Sequence, residues 1–234
     1  MIALVFATDK ERDAALAGSR WAGSFSDGLL PDHPDIRVQV VGVGPVKAAF
    51  NLGVLLGRYP ETTGVICLGI RGTFSLHRYP LGSTCVITSE TWPEYGLFGP
   101  DRVHPEKVGF PLGEQDGTPI WDTIALNPDQ AARSMGLALS GTWARTSGLT
   151  VAGVSATPGR AAFMRRTYRP GVENMEGFSL ALGCHARTTS FLEIRTISNL
   201  VGSRDPKHWR IGPALKRLGP VLDTLFCSAK GLRK

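Results

Sequence analysis

Short apolar runs recur along this chain, each ending in glycine or a small polar residue, and stretches of helical periodicity separate them. Ile2 to Ala7, Ile36 to Val41, Gly64 to Leu68, Thr84 to Ser89, Val151 to Val154 and Ser190 to Ile197 read as strands. Residues 9 to 17, Pro45 to about Gly57 and Met175 to about Ala186 read as helices. The second is opened by its proline and sets Val46, Ala49, Leu52 and Leu56 on one face. A last helical region runs from about Asp205 to Cys227, with interruptions expected near Gly212-Pro213 and Gly219-Pro220. Strands alternating with helices predict an α/β layered sandwich, and ligands of such sheets gather beyond the C-terminal ends of the strands. Residues 91 to 148 are rich in Gly, Pro and polar residues and are expected to form connecting strands and an ordered insertion.

A chain of 234 residues can bury one sizeable core, and a single domain over 1–234 is expected. Cys67, Cys85, Cys184 and Cys227 form no metal-ligand spacing, and Cys67 and Cys85 sit in apolar runs, which favours buried thiols in a reducing compartment. The first apolar run is too short for a secretory leader and is followed at once by Asp9-Lys10-Glu11-Arg12. No run approaches the roughly 20 apolar residues that span a bilayer. A soluble, cytoplasmic protein without a membrane partner is the expectation. The net charge of +6 comes partly from Lys230, Arg233 and Lys234 and is otherwise spread out, with small excesses at Arg165-Arg166 and between Arg204 and Arg210. A nucleic-acid binder would carry a denser basic stripe with aromatics, so no nucleic-acid partner is expected, whereas a small anionic substrate fits a mild positive balance.

Four segments could carry chemistry, and each has a plain structural reading beside it. Gly42-Val43-Gly44-Pro45 is a tight strand-to-helix turn or a place where an anion meets a helix N-terminus. Gly69-Ile70-Arg71-Gly72 is a turn with an exposed arginine, or a ligand-approach loop in which Arg71 contacts an anion. Glu173-Asn174-Met175-Glu176-Gly177-Phe178 is a helix start with well-placed carboxylates, or a site. Arg195-Thr196-Ile197-Ser198-Asn199 is a strand running into a turn.

In this order, with Met175-Glu176-Gly177 followed by Arg195 to Asn199, the segments resemble the nucleoside phosphorylase superfamily. The resemblance covers residue 1 to about residue 211. It is strongest toward a hydrolase branch, through Glu94-Tyr95-Gly96, Glu173 to Phe178, Arg195 to Asn199, Arg204-Asp205 and Trp209-Arg210-Ile211. It implies a three-layer α/β/α sandwich around a central mixed β-sheet. It also implies a homodimer or higher homo-oligomer whose neighbouring sites often share residues. Ile70-Arg71 and Thr73 stand where the family usually has small residues and glycine.

The implied chemistry is cleavage of a purine N-glycosidic bond with no cofactor and no metal. Glu176 would hold the ribose hydroxyls and favour a cationic sugar at the transition state. Glu11 would act as general base on the attacking water. Met175 would pack on the sugar, with Phe178, Gly72 and Thr157 also on the substrate side. Asn199 can donate from its amide to N7 and to a 6-oxo group, which favours a 6-oxopurine such as hypoxanthine over adenine. Ser198 and Arg195 would support that loop. The hydrolase branch takes a nucleoside with a carboxylate arm, and Arg71, His77, Arg78 and Arg204 are its candidate partners. No Gly-Asp-Pro-x-Arg-like phosphate segment is present, and Glu11 would repel phosphate. Arg12 and Arg71 keep phosphorolysis open, and a methylthioadenosine-type nucleosidase is the other alternative.

Overall fold

Strand β1 (Ile2–Phe6) is buried on both faces. Ala3 and Val5 pack under helices α2 (Pro45–Arg58) and α5 (Gly177–Ala186), while Leu4 and Phe6 pack against α1 (Asp9–Ala17) and α6 (Ile211–Cys227). Alternation along one strand thus dictates helices on both sides of the sheet. The computed structural model describes residues 1–23, 28–30 and 33–227. The basic tail of Lys230, Arg233 and Lys234 lies outside them.

On either side of β1 run β3 (His33–Val40) and β4 (Gly64–Thr73), both parallel to it. β13 (Ser190–Leu200) continues parallel to β4, and β5 (Thr84–Thr91) joins β13 antiparallel. β11 (Ala144–Thr150) runs parallel to β5 and to β12 (Val172–Asn174), and β12 returns to the end of β4, with Val172 opposite Thr73. The sheet is mixed, as expected, but the expected three-layer α/β/α sandwich is corrected. β4, β13, β5, β11 and β12 close into a ring, and β1 and β3 extend from it. Cys85, Ile87, Val172 and Ile197, from three of the ring strands, form a small core of their own. Short strands β2 (Leu29–Leu30) and β10 (Thr123–Ala125) pair with β3 and β5 at the edges.

Residues 91 to 148 hold two small hairpins, β6 (Leu97–Phe98) with β7 (Val103–His104) and β8 (Gly113–Gln115) with β9 (Thr118–Ile120). Helix α3 (Pro128–Ser134) follows. Helix α4 (Pro158–Tyr168) has weak amphipathicity and no counterpart in the sequence reading. The apolar run Val151 to Val154 is not a strand: pairing of β11 stops at Thr150, opposite Asn174, and Ala152 to Val154 are exposed. β4 does not end at Gly69 but pairs with β13 as far as Thr73.

The last helix is not interrupted. Gly212 and Pro213 occupy its first turn, where a missing N–H leaves no bond unmade. It also runs through Pro220. Gly219 is there because the chain at Gly18 crosses so closely that a Cβ would stand 2.2 Å from the Gly18 carbonyl carbon. Among the described residues no helix is long and apolar enough to cross a membrane.

Candidate active site

A cavity of about 310 Å³ opens where the C-terminal ends of β1, β4, β12 and β13 meet. Glu11, Met175, Glu176, Ser198, Asn199 and Gly72 all line it. Residues far apart in sequence converge here because the parallel strands β1, β4 and β13 end together and β12 runs antiparallel against the end of β4.

Glu11 arrives on the first turn of α1. Thr8 is the N-cap, and the two residues form a reciprocal capping box: Thr8 Oγ1 accepts from the Glu11 N–H, and Glu11 Oε2 accepts from the Thr8 N–H at 3.0 Å. The other oxygen, Oε1, accepts from the Ile70 N–H at 2.9 Å. A helix-start signature therefore fixes a buried carboxylate against β4. Gly69 makes room for it, since a Cβ at that position would stand 2.6 Å from Glu11 Oε1 and 2.5 Å from Arg195 Nη1.

Glu176 stands at the N-cap of α5 but does not cap it. Asn174 Oδ1 accepts from the N–H groups of Glu176 and Gly177 at 2.8 and 2.7 Å, and Thr150 Oγ1 accepts from Phe178 N–H at 2.7 Å. With the helix start satisfied by others, the Glu176 carboxylate turns to the cavity. Its Oε1 accepts from the Gly44 N–H at 3.2 Å, and its Oε2 lies 3.6 Å from Arg195 Nη2. Gly44 has φ of 91°, a conformation that glycine adopts without strain. The Gly42-Val43-Gly44 turn thus aims its N–H at a protein carboxylate. Burial pushes the Glu176 carboxyl up from the ordinary range, while Arg195 and the Gly44 N–H pull it back.

Asn199 follows a β-bulge at Ser198, where β13 slips by one residue against β4. The Ser198 hydroxyl lies 3.0 Å from the Arg71 carbonyl and 2.7 Å from Asn199 Oδ1. Given to the shorter contact, its one proton fixes Oδ1 and leaves the Asn199 NH2 for a ligand, apart from a long 3.4 Å contact to the Leu200 carbonyl. Gly72 keeps that space open, since a Cβ there would stand 3.0 Å from Asn199 Nδ2.

Other expected site residues lie elsewhere. Phe178 is buried in the core under α5 and tilts against Trp92. Thr157 is exposed and caps α4, accepting from the Arg160 N–H. Neither lines the cavity. Arg71 does not reach out from a loop: its guanidinium is fully buried on β4 and paired with Glu90 and Glu193. Its Nη2 serves both internal carboxylates, and its Nε and Nη1 meet no acceptor. His77 and Arg78 are exposed and also lie off the cavity, and Arg78 borders a separate hollow with Arg165 and Arg169. Of the four basic candidates Arg71 and Arg204 border the cavity; the Arg71 side chain is wholly buried, whereas Arg204 is exposed with its guanidinium 5.8 Å from the Trp209 ring centre.

Several lining residues had no individual role in the sequence reading. Glu173 holds the Ser155 loop through its N–H at 2.9 Å and its hydroxyl at 2.6 Å. Burial raises the Glu173 carboxyl, and both Ser155 contacts lower it. Trp209 bridges to Asn199, and Lys10 stands at the rim. Among the described residues no group of three or more His, Cys, Asp or Glu side chains is arranged to hold a metal ion.

The mixed α/β sheet brings two carboxylates and an amide around one cavity at its strand ends. Solved structures share the fold. A futalosine hydrolase mutant of Helicobacter pylori superposes with a TM-score of 0.72, 14% identity and 99% coverage of both chains. A Helicobacter pylori 5'-methylthioadenosine/S-adenosyl homocysteine nucleosidase, in complex with a substituted pyrrolidin-3-ol, does so with a TM-score of 0.73 and 15% identity, over 99% of this chain and 98% of that one. No family model matches the sequence. Curated relatives do: futalosine hydrolase of Thermus thermophilus is 31% identical over 203 residues, 82% of each chain. Futalosine hydrolase of Streptomyces coelicolor is 34% identical over 211 residues, 83% of this chain and 82% of that one. This chain belongs to the futalosine hydrolase family.

Proposed function

We propose that this enzyme hydrolyses the N-glycosidic bond of futalosine, releasing hypoxanthine, as a cytoplasmic step of menaquinone biosynthesis. The observation that carries the reading is the meeting of Glu11, Glu176 and the Asn199 amide in one cavity. Glu11 has both oxygens oriented by the Thr8 and Ile70 N–H groups, which suits it to hold and deprotonate the attacking water. Glu176 takes the ribose hydroxyls, and its charge favours the oxocarbenium sugar as the bond to the base lengthens. Met175 packs on the sugar face. The Asn199 NH2, turned outward by Ser198, donates to N7 and to the 6-oxo group as negative charge builds on the departing base. An inverted amide would set a carbonyl against that oxygen. Arg204 and Lys10, which both border the cavity, are available to an anionic arm.

A homodimer fits the surface. Val46, Phe50 and Val54 form an exposed stripe one helical turn apart on α2, and Phe50 is 69% exposed. The stripe continues through Val43 to the cavity rim, so a second copy covering it would also help close the site.

The test is hypoxanthine release from futalosine, inosine and methylthioadenosine, with and without phosphate. Phosphate-independent release from futalosine is expected. A strict phosphate requirement would instead indicate a 6-oxopurine phosphorylase, and preference for methylthioadenosine would overturn the reading of Asn199.

A further inference from the structure

Beneath the cavity floor the charges continue into the core. The side chains of Arg71, Glu90 and Glu193 are wholly buried, and that of Arg195 nearly so. Arg71 Nη2 meets Glu90 Oε1 at 3.3 Å and also meets Glu193 Oε1. Arg195 Nε donates to the same Glu193 oxygen at 3.0 Å, and its Nη2 faces Glu176. A relay of paired charges therefore links Glu90 to the residue proposed to bind ribose.

A second route joins the same two residues. Asn174 Nδ2 donates to Glu90 Oε1 at 2.8 Å, and Thr150 Oγ1 donates to Glu90 Oε2 at 2.7 Å. These are the two side chains whose oxygens receive the N–H groups of Glu176, Gly177 and Phe178. Glu90 thus anchors the whole turn that presents Glu176.

Glu193 Oε2 has no donor, although it is buried. An ionised oxygen in that state is unfavourable. It converges with Glu90 Oε1 above Gly177, where a Cβ would stand 2.7 Å from the first and 2.5 Å from the second. Arg71 offers the pair only Nη2, since its Nε and Nη1 meet no acceptor. Arg195 also reaches Glu193 Oε1 but faces Glu176 as well, so two cations meet three carboxylates, and adjacent buried carboxylates disfavour ionising together.

We propose that Glu90 and Glu193 share one proton in the working enzyme, and that Glu90 is a positioning residue for Glu176. The shared proton gives the orphaned Glu193 oxygen its partner. It also balances the cluster: Arg71 and Arg195 face one acid pair and Glu176. Burial and the neighbouring Glu193 push the Glu90 carboxyl up to about 8 against the pull of Arg71 and Thr150. The other titratable groups around the pair are Cys85 on β5, whose thiol burial pushes to about 11, Cys67 on β4, also pushed up by burial, and Glu11 beyond Arg195. Loss of the proton to solvent leaves an uncompensated negative charge behind the Arg195–Glu176 contact.

Two measurements test this. The first is an infrared pH titration without substrate. A protonated-carboxyl band that disappears as the pH rises through about 8 is expected in the wild type and absent in Glu90→Gln. The second is the pH profile of kcat/KM, which rests on the hydrolytic reading above. Glu90→Leu is expected to lose about 10²-fold through misplacement of Glu176. Glu90→Gln, whose amide imitates the protonated acid, is expected to recover most of that and to lose the alkaline limb. No such band in the wild type, or an unchanged limb in Glu90→Gln, overturns the proposal. Because the infrared result needs no turnover, its failure is distinct from a wrong substrate.

Discussion

Gly69→Ala is the sharpest test of how the site is built. Gly69 lies on β4 opposite Arg195, and it has no side chain where two catalytic-side groups crowd in. An added Cβ would stand 2.5 Å from Arg195 Nη1 and 2.6 Å from Glu11 Oε1, against ordinary contact from 3.4 Å. Each group must therefore retreat by about 0.8–0.9 Å, because repulsion rises steeply inside contact distance. Neither is free to do so. Glu11 is held by Thr8 and Ile70, and Arg195 by Glu193 and Cys67. Overpacking of this kind costs about 1–3 kcal/mol of stability. A displacement near 1 Å at a reacting group costs about 10²-fold in rate. The assay is kcat/KM for nucleoside hydrolysis beside a thermal melt. Gly159→Ala is the control, because a Cβ at that α4 position meets nothing within 4 Å. A Gly69→Ala enzyme with wild-type rate and melting temperature would refute the placement of Glu11 and Arg195 argued above.

Other expectations follow from single contacts. In Glu11→Gln, one oxygen that now accepts a hydrogen bond becomes an NH2 facing a donor, so the capping box weakens by about 1 kcal/mol. Turnover should fall by about 10²-fold or more with product affinity kept, and near-normal turnover would refute water activation by Glu11. Asn199→Asp should weaken use of 6-oxopurine nucleosides relative to adenine ones in a competition assay, and an unchanged preference would contradict the hydrogen-bond argument. Phe50→Glu should shift sedimentation toward a folded monomer. The buried carboxyls Glu90, Glu173 and Glu176 are all raised above their ordinary values. The folded protein therefore binds more protons than the unfolded chain above the normal carboxylate range. This contribution to stability is full at low pH and is lost as pH rises, for Glu90 through about 8. A smaller decline in melting temperature from pH 6 to 9 is expected for Glu90→Gln than for the wild type, and equal declines would argue against it.

Much of this was legible in local sequence, and the misses share a cause. Apolar runs located β1, β3, β4, β5 and β13, because a strand buried in the sheet is written as an apolar segment, but missed β11 and β12. The Thr8-x-x-Glu11 signature was present, yet a capping box says nothing about whether its glutamate is buried. Arg71 was misplaced because Gly69 and Gly72 look like turn residues. In the sheet they are glycines for lack of space, against Glu11, Arg195 and Asn199. Helix α4 escaped because it has little amphipathic signal to read. Pro220 misled because a proline rule written for isolated helices ignores packing that keeps a helix continuous.

The sequence by itself determined the α/β class, the first helices and strands and the last ones, and which short segments carry carboxylates and amides at strand ends. It could do so because periodicity and turn chemistry are local properties. Only the tertiary structure decided that the sheet closes into a ring and that Asn174 and Thr150 free Glu176 from capping. It also decided that Arg71 is committed inward to Glu90 and Glu193. Those outcomes depend on which distant side chains share a volume, and a buried charge takes its role from whatever partners the fold brings within hydrogen-bond reach.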